Sequence, residues 1–117
     1  MSQHDSWVIL QQMRDYAMLV LSRRAQLTRH TLDDEWTRLA VIKSIENIGE
    51  AARRLDRETQ ALYPEIRWSG WIGMRNRLAH GYDVVDLDTV WEVLCNDIPV
   101  LIEQLDAISE RMNKAIE

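Results

Sequence analysis

The sequence predicts an all-α chain folded as an up-and-down bundle of four to five helices. Three observations carry that expectation. Apolar residues recur at three- and four-residue steps through most of the 117 residues, which is the period of helices with one buried face. No stretch shows the strict alternation of a half-buried strand. Polar or proline-containing breaks separate the periodic runs, so each helix can turn back and bury its stripe on a neighbour. With no internal repeat or low-complexity segment, residues 1–117 are expected to form a single domain around one core, burying roughly two-thirds of the unfolded surface.

The first helix is expected from about Asp5 to Gln26, where Ile9, Met13, Tyr16, Ala17, Val20 and Leu21 share a face. Asp5 or Ser6 is suited to capping its free N–H groups. Thr28-Arg29-His30-Thr31 breaks the period, and Thr31 with Asp34 fits a capping arrangement for the next helix. That second helix spans about Leu32 to Leu55, with Val41, Ile45, Ile48, Ala52 and Leu55 as an inward seam. Gly49 interrupts the seam at a cost of ~1 kcal/mol relative to alanine, which points to close approach of another backbone. The opposite flank carries Glu46, Asn47, Glu50, Arg53, Arg54 and Arg57, and Glu50 can pair with Arg54 one turn on. From Asp56 to Trp68 the pattern is less regular, with a short turn at Thr59–Leu62 and a stop at Pro64, which disfavours helix at Tyr63. A third long helix is expected from about Ser69 to His80. The last begins beyond Asp86, a good cap, and carries the stripe Leu87, Val90, Trp91, Leu94, Ile98, Leu101, Leu105, Ile108 and Met112. Pro99 should kink or divide it.

Composition narrows the function classes. No apolar run approaches the ~20 residues that cross a bilayer, and Met1-Ser2-Gln3-His4-Asp5 lacks the basic start and apolar centre of a signal peptide, so a cytoplasmic location without a membrane is expected. The single cysteine, Cys95, has no internal disulfide partner and reads as a small core residue. His4 and His30 stand in no metal-ligand spacing, and neither a metal nor a cofactor is expected. The net charge of -5 opposes nucleic-acid binding at first sight. Its distribution does not: residues 1–52 carry -1, residues 53–82 carry +3 and residues 83–117 carry -7.

The positive excess surrounds Arg75-Asn76-Arg77-Leu78-Ala79-His80-Gly81-Tyr82. Arginine offers a permanent charge and a fork of donors suited to phosphate, and histidine exchanges a proton near neutral pH. Together they suit phosphodiester chemistry. Five residues of helix turn about 500°, so Arg75 and His80 would project about 140° apart. They meet at one phosphate only if the helix unwinds at His80, for which Gly81 is a suitable terminating residue, or if a second copy of the chain completes the site. Asn76 shares a face with His80, and Arg77 is nearly as close. Gly70-Trp71-Ile72-Gly73 has the G-x-x-G spacing of an RNA-clamping loop, but without flanking strands it carries no weight.

Arg75, His80 and Tyr82 spell R-x4-H-x-Y, and Ile45-Glu46-Asn47-Ile48-Gly49-Glu50-Ala51 precedes them in order. Both segments resemble those of HEPN-domain proteins, in particular the HepT-like toxins of toxin–antitoxin pairs, and the likeness spans nearly the whole chain. It implies a HEPN-like bundle and a metal-independent endoribonuclease acting on RNA. In it Arg75 and His80 would be catalytic. By position alone, Asn76 either holds the imidazole or contacts the phosphate, and the role of Arg77 is ambiguous between assisting there and not. Glu46, Asn47 and Glu50 are either a solvated face or the groups that orient the arginine and histidine. The likeness further implies a homodimer in which two motifs line one cleft, with Trp36, Trp68 and Trp71 partly serving the contact. Tyr82 would be where a nucleotidyltransferase antitoxin attaches AMP and silences the enzyme. The residues also permit a non-catalytic helical module that binds a nucleotide or docks a nucleotidyltransferase, with Arg75 as an anion clamp and His80 structural.

Overall fold

The structure is a computed structural model that describes residues 1–81 and 86–116. Among these residues all regular structure is helical, with no strand. The elements are α1 (Gln3–Leu21), α2 (Glu35–Arg54), α3 (Arg57–Leu62), α4 (Trp68–Gly81), α5 (Leu87–Glu92) and α6 (Ile98–Ile116). Two 3-10 turns, Arg24–Gln26 and Arg29–Asp33, link α1 to α2, and a π-helical turn, Val93–Asp97, joins α5 to α6.

Capping differs in detail from the expectation. Ser2, not Asp5 or Ser6, starts α1, its hydroxyl accepting from the Asp5 N–H at 3.0 Å; Ser6 is buried and donates back to the Ser2 carbonyl at 3.1 Å. The first helix stops at Leu21 rather than Gln26, where Arg23 N–H bonds the nearer Val20 carbonyl and tightens the turn. Thr31 belongs to a reciprocal cap with Thr28, and Asp34 alone caps α2 through the Thr37 N–H at 2.9 Å. Thr59–Leu62 is the end of a short helix that Asp56 caps. Asp86 caps α5 as expected, accepting from the Asp88 N–H at 2.9 Å.

The last helical stretch is divided as expected, but just before Pro99 rather than at it: the turn Val93–Asp97 separates α5 from α6, which runs through Pro99. A proline ring lacks the N–H and collides with the carbonyl four residues back, here that of Cys95. The π turn over Val93–Asp97 widens the helix there, and α6 runs on to Ile116.

α2 lies between α1 and α4, and α1 also packs on α6. The predicted seams form the core. Val41, Ile45, Ile48, Ala52 and Leu55 are buried, as are Val90, Leu94, Ile98, Leu101, Leu105, Ile108 and Met112. Trp68 and Trp71 are core residues, so they have little surface for a dimer contact; Trp36 is 85% exposed. Among the described residues α4 and α6 approach each other little, in contrast to α2 and α4. Gln104 and Arg111 of α6 instead reach the Glu65 carbonyl and carboxylate in the preceding loop.

The tightest crossing joins α2 to α4. A Cβ placed on Gly49 would lie 2.4 Å from Arg75 Cβ and 2.4 Å from the Trp71 carbonyl oxygen, neither of which is free to move. Gly73, on the opposite face of α4, has nothing within 4 Å of such a Cβ. The two glycines should therefore respond oppositely to alanine. Gly49→Ala should destabilise the fold by about 1–3 kcal/mol through overpacking, against the gain in helix propensity, while Gly73→Ala should stabilise it by up to ~1 kcal/mol. Denaturant midpoints of the two variants check this.

Candidate active site

The contact at Gly49 decides where the neighbouring charges fall. Glu50 follows Gly49 on α2, and Arg75 leaves α4 at the same crossing. Arg53 grips Glu50 with two hydrogen bonds, Nε to Oε2 at 3.1 Å and Nη2 to Oε1 at 2.6 Å. Arg75 Nε lies 2.9 Å from Glu50 Oε2. Its N–H does not aim at that oxygen, so the buried Nε makes no hydrogen bond. The pair is thus held by charge rather than by a directed bond. Arg75 Nη1 donates to Asn76 Oδ1 at 3.1 Å, and Nη2 has no partner among the described residues. The guanidinium is anchored yet keeps donors for an anion.

Glu50 is the electrostatic centre of this group. The Arg53 hydrogen bonds hold its carboxyl below the ordinary value of 4.5, with the charges of Arg53, Arg75 and Arg54 acting in the same direction and partial burial opposing them. Arg54 contributes only at a distance, since its guanidinium donates to Gln12 on α1. The expected Glu50–Arg54 pairing is replaced by Arg53, three residues from Glu50, and by Arg75 across the helix interface.

His80 is exposed in the last turn of α4. Because α4 continues through Gly81, the helix does not unwind at His80. Arg75 and His80 therefore project about 140° apart, and one chain does not bring them onto one phosphate. Asn76 joins the two directions: it contacts Arg75 and lies one turn before His80 on the exposed face.

The other predicted residues fall elsewhere. Glu46 pairs with Lys43 at 3.6 Å on its own helix, and the half-buried Asn47 makes no side-chain hydrogen bond among the described residues, so of the α2 trio only Glu50 touches Arg75. Arg77 turns away from Arg75. Its Nη2 lies 3.9 Å from Met74 Sδ, on the rim of a groove of about 310 Å³ between α4 and the α5–α6 side. Tyr82 lies outside the described residues. Sequence reasoning undervalued Arg53, which reads as one more surface arginine; its three-residue spacing from Glu50 was the available signal.

No group of three or more His, Cys, Asp or Glu side chains that could hold a metal ion occurs among the described residues. No helix among them is long and apolar enough to cross a membrane.

Comparison with known proteins follows the same lines. A family model described as "Ribonuclease HepT-like" matches residues 10–108. A Thermococcus cleftensis protein named "Probable ribonuclease HepT" is 40% identical over 70 residues, 60% of this chain and 64% of its own. A Methanocaldococcus jannaschii protein, named as a candidate RNase, is 34% identical over 77 residues, 66% of this chain and 64% of its own. Another of the same description from Caldanaerobacter subterraneus is 33% identical over 72 residues, 62% of this chain and 64% of its own. The chain thus spans just under two thirds of the length of these relatives. No solved structure matches it significantly.

The Glu50 arrangement has a pH signature. A carboxyl whose folded pKa is depressed stabilises the fold above its unfolded value, and that contribution is lost as pH falls through the folded value. With the ordinary value at 4.5, the loss lies below about pH 4.5. Glu50→Gln should be less stable than the parent at pH 7, with the difference shrinking as acid is added. Denaturation midpoints from neutral pH down to the acid limb test this; a constant difference would show that Glu50 contributes through packing alone.

Proposed function

Because the chain belongs to the HepT-like ribonuclease family, we propose that it is a metal-independent endoribonuclease that works as a homodimer and serves as the toxin of a toxin–antitoxin pair. The observation that carries this reading is the anchored Arg75 guanidinium, with Asn76 linking it to the exposed His80 face of the same helix. His80 removes the proton of a ribose 2'-hydroxyl. The freed oxygen then attacks the adjacent phosphorus, the bond to the 5'-oxygen breaks, and that oxygen takes up a proton. General-base help of this kind contributes about 10²- to 10⁴-fold. Arg75 stabilises the charge that gathers on the phosphoryl oxygens, with Asn76 and Arg77 assisting.

The divergence of Arg75 and His80 is the reason for invoking a second copy. Across a two-fold axis, Arg75 of one chain can serve the phosphate that His80 of the other attends. Tyr82, two residues beyond His80, is the site where a nucleotidyltransferase antitoxin adds AMP. An adenylate beside Arg75 would occupy the anion site and repel RNA.

Cleavage of a long structured RNA in excess chelator tests the chemistry. The parent should cut, and His80→Ala and Arg75→Ala of unchanged helicity should each lose about 10²-fold or more. Equal cutting by all three would trace the activity to a contaminant. No cutting by an unmodified parent would favour a non-catalytic nucleotide-binding or docking module. Light scattering over a concentration series should give a dimer, and a monomer throughout would remove the shared site. After co-expression with the nucleotidyltransferase, intact mass should show whole adenylyl increments that Tyr82→Phe abolishes.

A further inference from the structure

The α4 face that points away from α2 has an unusual make-up. From Trp68 to Gly81 the helix contains no acidic residue, although the chain as a whole carries -5. Gly70 and Gly73 leave the outer face bare: an added Cβ would meet only the Arg67 side chain, at 3.6 Å, beside Gly70 and nothing within 4 Å beside Gly73. Mid-helix glycine costs ~1 kcal/mol relative to alanine, and nothing among the described residues requires it at Gly73. Beside this face opens the groove of about 310 Å³, at the small end of ligand pockets, which run from ~300 to 1,000 Å³. Arg67 and Arg77 flank it along the helix, and neither has an ion-pair partner among the described residues. Trp71, Met74 and Val93 contribute an apolar lining, and Val100 is half exposed at its edge.

We propose that this face and groove form a track for a single strand of RNA leading away from His80, with Arg77 and Arg67 on backbone phosphates and a base seated in the groove. The proposal rests on the ribonuclease reading above and extends it from the cleaved bond to the flanking nucleotides. His80 and Arg77 are neighbours three residues apart on the helix surface, so a strand held at His80 passes Arg77 first. Arg67 lies about 15 Å further along the axis, within reach of a few nucleotides of extended strand. The bare glycine face between them lets the sugar–phosphate chain approach the helix closely. The apolar lining offers a base the desolvated contact that sequence-tolerant single-strand binding uses. Asp97 and Gln104 also line the groove. One N–H of the Gln104 amide is given to the Glu65 carbonyl at 2.7 Å, which leaves its carbonyl and second N–H for a base edge, while the Asp97 carboxylate offers only acceptors.

Charge decides the occupant. A second copy laid face to face here would set one acid-free helix against another, whereas a polyanion neutralises both arginines and releases counterions as it does so.

The test compares Arg67→Gln and Gly73→Leu with the parent, all checked for unchanged thermal stability and with their assembly state measured. The substrates are a cleavable ribodinucleotide, a longer unstructured oligoribonucleotide, and the same sequence as 2'-deoxy strand, which cannot be cut. Both variants should cut the dinucleotide as the parent does and lose about tenfold in kcat/KM on the longer RNA. For Arg67→Gln, affinity for the deoxy strand should fall and the slope of log affinity against log salt should drop by about one. Unchanged cleavage and binding of the long strands in both variants would overturn the track. So would dissociation of a dimer by Gly73→Leu, which would make a second copy the occupant. If the parent cuts neither RNA, the ribonuclease reading fails, and binding of the deoxy strand still decides the track through its dependence on Arg67.

Discussion

Between Gly49 and the Trp71–Arg75 turn, α2 and α4 approach so closely that there is no room for a single Cβ between them. That contact sets the height and rotation of α4 on the bundle, and through them the position of every charged group that α4 carries. Arg75 stands against Glu50 because both leave the crossing point. Larger residues at position 49 would push α4 outward and lengthen the 2.9 Å charge contact. A buried or half-buried guanidinium without its counter-charge is costly, so the packing of two backbones and the placement of one arginine are a single constraint. The glycine that weakens α2 as an isolated helix is thus what lets α2 and α4 form one unit.

The fold was legible because burial and period agree in this chain. Ile45, Ile48 and Leu55 on α2, or Leu94, Ile98 and Leu101 on the last helix, repeat at the helical step and are buried accordingly. The close approach at Gly49 was legible too, since a glycine inside a seam needs a reason. Less legible were features that depend on which of several polar groups wins a contest. Ser2, Asp5 and Ser6 can all cap a helix, and the choice turned on Ser6 being drawn into the core beside Thr59. Glu50 had Arg53 and Arg54 within reach on its own helix, and Gln12 of α1 took Arg54 out of the competition. Trp68 and Trp71 could have faced a partner, but both are buried in the core, and the Trp68 indole N–H reaches the Tyr63 carbonyl at 3.0 Å. Long-range contacts of this kind have no period to read.

The site was legible as a set of residues and less so as a geometry. The R-x4-H spacing states that Arg75 and His80 cannot converge on a regular helix, but not whether the helix stays regular. α4 continues through Gly81, which removes local unwinding as the way to bring them together. The groove beside Arg77 left no mark in the sequence at all. It lies where α4 and α6 approach each other little, and its lining draws on residues from Arg67 to Gln104 that share no common period.

Helix α4 and the residue that leads into it therefore carry two kinds of arginine for two physical reasons. Arg75 is half-buried at the α2 interface, where an unpaired cation would be expensive, and it comes with Glu50, Arg53 and Asn76 to hold it in one place. Arg67 and Arg77 are exposed on the far side, where water solvates the charge at no such cost, and among the described residues no acid is spent on them. The net negative charge of the protein sits mostly in residues 83–117. Of those acids Asp97 lines the groove beside α4; charges farther off than the Debye length of about 8 Å at physiological ionic strength are largely screened from an anion on the outer face. A protein of pI about 5.2 can on these grounds present a locally basic helix to a polyanion, provided that the helix itself is free of acids, as α4 is.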